Sequence, residues 1–199
     1  MDLGFRIACA GLLVLSALTS AHYYRKAGPV ERLAYGEREG VVLAVARGVW
    51  VVLAVAFPIL YALRPEWLDW GRFPEPLALR AVLGTCLAAA HATLLVWAHR
   101  ALGPNFSSSL RMREGHELIT TGPYRWVRHP LYGAALLLYA GLGVLSANWP
   151  VGLGGITFIL FILLVRTPRE EQMLLEAFGA EYSAYRERTG RVLPRIPWR

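Results

Sequence analysis

Residues 131–165 read LYGAALLLYAGLGVLSANWPVGLGGITFILFILLV, a run without a charged side chain. Two apolar windows, Leu131–Ala147 and Val151–Val165, are parted only by Asn148, Trp149 and Pro150. An α-helix rises about 1.5 Å per residue, so each window is shorter than the roughly 20 residues that cross a bilayer's hydrocarbon core. Asn-Trp-Pro is a turn signal, and Pro150 suits the opening of a helix, where a missing N–H costs nothing. The stretch therefore predicts an antiparallel helical hairpin in a membrane. Helical spacing from Arg166 to Phe178 predicts that the second arm continues past the membrane surface.

Three further apolar windows precede the hairpin, at Leu3–Ala21, Val41–Leu63 and Leu77–Ala98. The chain is 55% hydrophobic and only 18% charged, where a soluble domain carries about a quarter charged residues. The expected fold is all-α: a polytopic membrane protein with about five transmembrane helices and a cytoplasmic amphipathic helix. Residues 1–100 would form a three-span region and residues 101–199 a catalytic region. The first window has some marks of a signal peptide, but its length and the Asp2 at its start favour a span.

The net charge of +7 comes from twenty arginines and one lysine. Sixteen of these basic residues fall in the first connection, the third connection and the tail from Arg166. By the positive-inside rule the N-terminus is then outside, with the third connection and the tail in the cytoplasm. This explains the charge without a nucleic-acid partner, for which no motif is present. An arginine-rich, nearly lysine-free composition points to a GC-rich bacterial genome, and so to a bacterial cytoplasmic membrane. Cys9 and Cys86 both sit in apolar windows and read as packing residues, with no zinc or other metal ligand set around them. Arg6, Arg47 and Arg80 lie near span ends, where long side chains can reach the headgroups. His91 is deeper, and reads as a neutral imidazole bonded to a neighbouring helix.

Polar chemistry gathers at the two cytoplasmic ends of the hairpin. Before it stands TTGPYRWVRHPLY, residues 120–132. Gly122-Pro123 marks a turn, and His129 is driven out of helical geometry by the following proline. Pro130 suits the first position of the next helix, whose N-terminus is an anion-binding end. Arg125, Arg128 and His129 add donors, while Tyr124 and Tyr132 add flat surfaces. After the hairpin stands RTPREE, residues 166–171. Arg166 and Glu170 share one helical face in the order less favourable to a surface ion pair. The guanidinium would bind an anion and the carboxylate a cation or ribose hydroxyls. Next, Phe178, Tyr182 and Tyr185 mark an amphipathic helix, lying on the membrane or capping the site. The arginines that follow can meet anionic headgroups of membrane lipids.

The string HELI (residues 116–119) followed by GPYRWVRHPLY resembles the cofactor-binding segment of isoprenylcysteine carboxyl methyltransferases. Arg166-x-x-x-Glu170-Glu171 followed by FGAEYSAY is similar to that family's second signature, in the same order. The resemblance implies a membrane methyltransferase that uses S-adenosylmethionine. It implies that His116, Glu117, Leu118, Ile119, Tyr124, His129, Pro130, Leu131, Tyr132 and Glu170 contact the cofactor. It places Arg166 against the methyl acceptor.

The expected reaction is methyl transfer to a lipophilic acceptor, first of all the carboxylate of an isoprenylcysteine-like substrate. A carboxylate needs no general base. A phospholipid amine would need one, with Glu170 or Glu171 as candidates, and a small thiol would have to ionise. A non-catalytic scaffold or transporter subunit is the competing class, in which Glu170 and His129 would be replaceable.

Overall fold

Each apolar window becomes one helix in the computed structural model, which describes residues 2–27, 41–74, 76–105 and 117–195. The helices are α1 (Asp2–Ala27), α2 (Val41–Leu63), α3 (Leu77–Leu102), α4 (Pro130–Ser146), α5 (Trp149–Val165) and α6 (Thr167–Arg188). Short 3-10 turns occupy Pro65–Gly71, Gly103–Asn105 and Gly122–Arg125. No strand occurs among the described residues. Helix is the answer that lipid demands of an unbroken apolar run, because it satisfies every backbone N–H and C=O within the segment. Among the described residues, α1, α3 and the run that begins with α5 are long and apolar enough to cross a membrane, while α4 is shorter.

The chain sorts into two compact units, and α1, α3, α4 and α5 contribute residues to both. The first comprises Met1–Ala17, Glu39–Thr93 and Ala134–Phe161. The second comprises Leu18–Arg38, Leu94–Gly133 and Ile162–Arg199.

In the first unit the hairpin closes through a two-bond helix cap. Ala147 N–H donates to Val144 O at 3.0 Å, and Asn148 N–H to Gly143 O at 3.1 Å. That pairing needs a left-handed residue at the first position past the helix, and Ala147 adopts it with φ 49°. A side chain there costs an L-residue about 1–2 kcal/mol. Ala147→Gly is therefore expected to stabilise the chain by about 0.5–1 kcal/mol, after the greater unfolded-state entropy of glycine is subtracted. Thermal unfolding in detergent checks it, and an unchanged or lowered midpoint contradicts it. Asn148 Nδ2 ties the same turn to Leu68 O at 2.7 Å.

The two arms pack through small residues. A Cβ on Gly143 would lie 3.0 Å from Gly152 Cα, and one on Gly155 would overlap the Tyr139 ring. Lipid supplies no hydrophobic drive between helices, so close backbone approach and dispersion must supply the contact energy.

Two arginines expected to reach for headgroups instead cap helix ends. Arg6 Nε donates to Ala62 O at 2.8 Å, in the last turn of α2. Arg80 donates through Nε to Leu145 O at 2.7 Å, in the last turn of α4, and through Nη2 to Tyr61 Oη at 3.0 Å. The Phe5 ring lies under Arg80, 3.8 Å from ring centre to guanidinium carbon. A cation at a C-terminal carbonyl gains from the helix dipole and satisfies an orphan acceptor, a gain that snorkelling to water would forgo. The side chain of Arg47 lies outside the described residues. His91 behaves as expected. It is buried, with Nδ1 2.8 Å from Ala134 O and Nε2 2.7 Å from Ser16 Oγ, so the one ring joins α3 to α4 and α1. Cys9 is buried and Cys86 exposed.

Candidate active site

Every described residue of the two motifs falls in the second unit. The α5–α6 junction carries the second motif. Arg166 N–H donates to Ile162 O at 2.9 Å and Glu170 N–H to Arg166 O at 3.1 Å, so helical bonding continues past Val165 as expected. Pro168 is tolerated because it stands in the first turn of α6, where an N–H would have no partner. Arg166 and Glu170 are one turn apart and half-buried. Further along, Gly179 adopts φ 51° and ψ −122° and kinks α6 into two arms. The second arm buries Tyr182 and Tyr185 against protein, and Tyr185 Oη donates to Tyr124 O at 2.7 Å. Burial of both rings favours the capping role of this segment over a membrane-surface role.

The first motif is held from both sides. Gly122–Arg125 forms a 3-10 turn, with Tyr124 N–H donating to Thr121 O at 3.1 Å, and Gly122 at φ 60° takes the left-handed geometry that favours glycine. The next residues run beside the chain end: Gly190 N–H donates to Trp126 O at 3.0 Å, Arg128 N–H to Gly190 O at 2.9 Å, and His129 N–H to Arg191 O at 2.8 Å. Pro130 then opens α4, and His129 O accepts from Tyr132 N–H at 3.2 Å and Gly133 N–H at 3.3 Å. Tyr132 reaches the second motif by donating its hydroxyl to Glu170 Oε2 at a long 3.5 Å. Tyr124 is buried, and burial together with the Glu170 carboxylate pushes its phenol well above the ordinary range.

Glu171 is a buried carboxylate, at 5% exposure. Its Oε1 accepts from Arg128 Nε at 2.8 Å and lies 3.3 Å from His129 Nε2, while Oε2 lies 3.5 Å from Arg191 Nη2. Arg128 Nη1 also donates to Arg186 O and Thr189 O. Two sequence expectations are narrowed by it. Arg128 spends its Nε and Nη1 on internal bonds. Glu171 is held ionised by Arg128 and His129, which makes it a weak general base. Burial alone would raise the Glu171 carboxyl, but the hydrogen bonds from His129 and Arg128 and the Arg128 charge outweigh it and hold the group at about 2. A carboxylate depressed in the folded state contributes stability above its ordinary value of 4.5 and loses it as pH falls towards about 2. The linkage is worth up to roughly 3 kcal/mol. An acid titration of tertiary structure is expected to show that loss between those values in the wild type, and Glu171→Gln is expected to remove it. The same acid limb in both proteins would contradict the assignment.

The remaining sequence candidates are less closely joined. His116 lies outside the described residues. Glu117 is exposed, and its N–H donates to Asn105 Oδ1 at 3.1 Å, with Leu118 and Ile119 half-buried beside it. An open cleft of about 490 Å³ borders Glu171, lined by Arg128, Arg186, Arg191, Arg195 and Glu187, and its walls include neither Arg166 nor Glu170. Sequence reasoning gave Tyr182 to an amphipathic or capping helix but missed Thr189. Tyr182 is wholly buried, with its hydroxyl unpartnered among the described residues, and Thr189 is 2% exposed. The tyrosine spacing in EYSAY had already marked the first. Thr189 had no such signal.

Comparison with known proteins bears on this geometry. Residues 82–176 match the profile of the isoprenylcysteine carboxyl methyltransferase family. That segment holds the HELI string, the GPYRWVRHPLY string and the RTPREE motif. The chain is similar to a protein-S-isoprenylcysteine O-methyltransferase of Saccharomyces cerevisiae, 32% identical over 150 residues, covering 72% of this chain and 62% of that protein. It is also similar to the protein of the same description from Homo sapiens, 32% identical over 120 residues, covering 59% and 40%. A probable protein-S-isoprenylcysteine O-methyltransferase of Oryza sativa subsp. indica is 35% identical over 97 residues, covering 47% and 50%. A solved structure of the eukaryotic intramembrane Ras methyltransferase, isoprenylcysteine carboxyl methyltransferase, is 26% identical with a TM-score of 0.50, covering 78% of this chain and 50% of that one. The chain thus spans about half the length of the curated relatives it matches. Apolar helices and this shared fold make it an integral membrane protein.

Proposed function

We propose that this relative of the isoprenylcysteine carboxyl methyltransferase family is a membrane methyltransferase that methylates the carboxylate of a lipophilic, isoprenylcysteine-like acceptor, with S-adenosylmethionine as donor. The observation that carries the reading is the convergence of the two motifs at Glu170, one turn from Arg166 and within reach of the Tyr132 hydroxyl. Residues 101–199 are the catalytic region, in a five-span arrangement with the N-terminus outside. The site faces the cytoplasm of a bacterial cytoplasmic membrane.

The chemistry of the residues fits the cofactor. Glu170 is half-buried and, among the described residues, is hydrogen-bonded only at long range by Tyr132, so its carboxylate keeps acceptor capacity for ribose hydroxyls or an ammonium. His116 to Ile119, Tyr124, and His129 to Tyr132 supply the rest of the cradle. S-adenosylmethionine, when bound, supplies a methyl group already activated on a sulfonium, so the protein mainly has to align donor and acceptor. Arg166 binds the acceptor carboxylate as a fixed fork and holds one oxygen in line. A site that strips water from that oxygen would sharpen its attack. No proton has to move, so no base is required.

The test uses protein in detergent with methyl-labelled S-adenosylmethionine and three acceptors: a farnesylated cysteine analogue, phosphatidylethanolamine and a small thiol. The expected result is base-labile label on the cysteine analogue, the mark of a methyl ester. Base-stable label on the lipid or thiol overturns the acceptor, and absence of both transfer and cofactor binding overturns the enzyme.

A further inference from the structure

Glu171 completes the Glu-Glu pair, yet the role argued above for Glu170 leaves it unexplained. We propose that Glu171 is a positioning residue for His129, holding the imidazole as its Nε2–H tautomer and so presenting Nδ1 to the cofactor as a hydrogen-bond acceptor. The inference rests on the cofactor site proposed above.

Geometry carries the argument. Glu171 Oε1 sits 3.3 Å from His129 Nε2, and the same oxygen already accepts from Arg128 Nε. An ionised carboxylate can only accept, so the ring nitrogen that faces it must bear the hydrogen. In the neutral ring the other nitrogen is then bare. Rotation is restricted on the remaining sides. His129 stacks on Tyr132 with centroids 5.6 Å apart, its N–H is bonded to Arg191 O, and its C=O caps the first turn of α4. Stability alone does not account for Glu171, because a buried ion pair replaced by well-packed apolar groups is often no less stable. A bare Nδ1 has chemical consequences. It can accept from a ribose hydroxyl or an amino group, and it cannot donate to the cofactor's carboxylate.

The experiment reads the tautomer directly, from ¹⁵N shifts of His129 in detergent micelles, with the resonance assigned by Glu171-independent loss in His129→Gln. The measurement is made at about pH 9, above the ordinary imidazole range, and needs neither turnover nor cofactor. Wild type is expected to show a protonated Nε2 and a bare Nδ1. A protonated Nδ1 in wild type overturns the proposal even if no variant folds. In Glu171→Leu no acceptor faces Nε2, so the tautomers should mix and S-adenosylmethionine affinity should fall about tenfold. Glu171→Asp keeps an accept-only group and should retain the Nε2–H form. An unchanged tautomer and affinity in Glu171→Leu, with affinity lost in Glu170→Ala, overturns the positioning role and leaves the cofactor site standing. Unchanged affinity in both variants, whatever the tautomer, marks failure of the cofactor site itself.

Discussion

Glu170→Ala is expected to weaken S-adenosylmethionine binding by about thirty- to a hundredfold, while leaving the helices intact. The size follows from losing hydrogen bonds to a charged acceptor, each worth about 1.5–3 kcal/mol. The fold should survive because the side chain is half-buried and its only described partner is Tyr132 Oη at 3.5 Å. The backbone bond from Glu170 N–H to Arg166 O does not depend on the side chain, and alanine favours the helix. Titration calorimetry with the cofactor, alongside thermal unfolding, separates the two effects. A wild-type dissociation constant in the variant would remove Glu170 from the cofactor site, and with it the observation on which the function rests. Glu170→Gln should fall between, since an amide oxygen still accepts but carries no charge for an ammonium.

Much of this arrangement was legible in the residues themselves, for identifiable reasons. Helix bounds followed the apolar windows because lipid leaves an apolar run few alternatives to helix. The hairpin turn was readable from Asn148-Trp149-Pro150, and the start of α4 from the restriction that Pro130 places on His129. The 3-10 turn at Gly122–Arg125 was announced by Gly-Pro. Side-chain partnerships were not legible. Nothing in the spacing said that Arg128 would spend its guanidinium on Glu171, 43 positions away in the chain. Nor could spacing foretell that Arg6 and Arg80 would cap helix ends in preference to the headgroups. Those choices depend on which helix ends become neighbours, a property of the assembled fold. The kink at Gly179 belongs to the same class. A glycine within FGAEY permits φ 51°, but nothing in the spacing says that the chain takes it.

Arg166→Ala is expected to leave cofactor affinity within about twofold of wild type and to lower kcat/KM for the cysteine analogue by about 10²–10³, the range for removing one preorganised electrostatic group. The two motif residues would then fail in different ways, although they stand one turn apart on the same helix. The difference is chemical. A carboxylate faces the donor's hydroxyls and ammonium, whereas a guanidinium faces the acceptor's carboxylate and holds it through two parallel bonds. Arg166→Lys should recover only part of the loss, because an ammonium keeps the charge but not the planar fork. Added guanidinium should restore some turnover to Arg166→Ala if the residue acts on the acceptor, and none if the variant fails through packing. The same variant also discriminates between acceptors. An amine or thiol has no anionic oxygens for a fork to grip. Full activity of Arg166→Ala on phosphatidylethanolamine or a thiol would therefore move the reaction from a carboxylate to that acceptor. Activity lost on the cysteine analogue with cofactor binding retained would fix Arg166 at the acceptor end of the transfer.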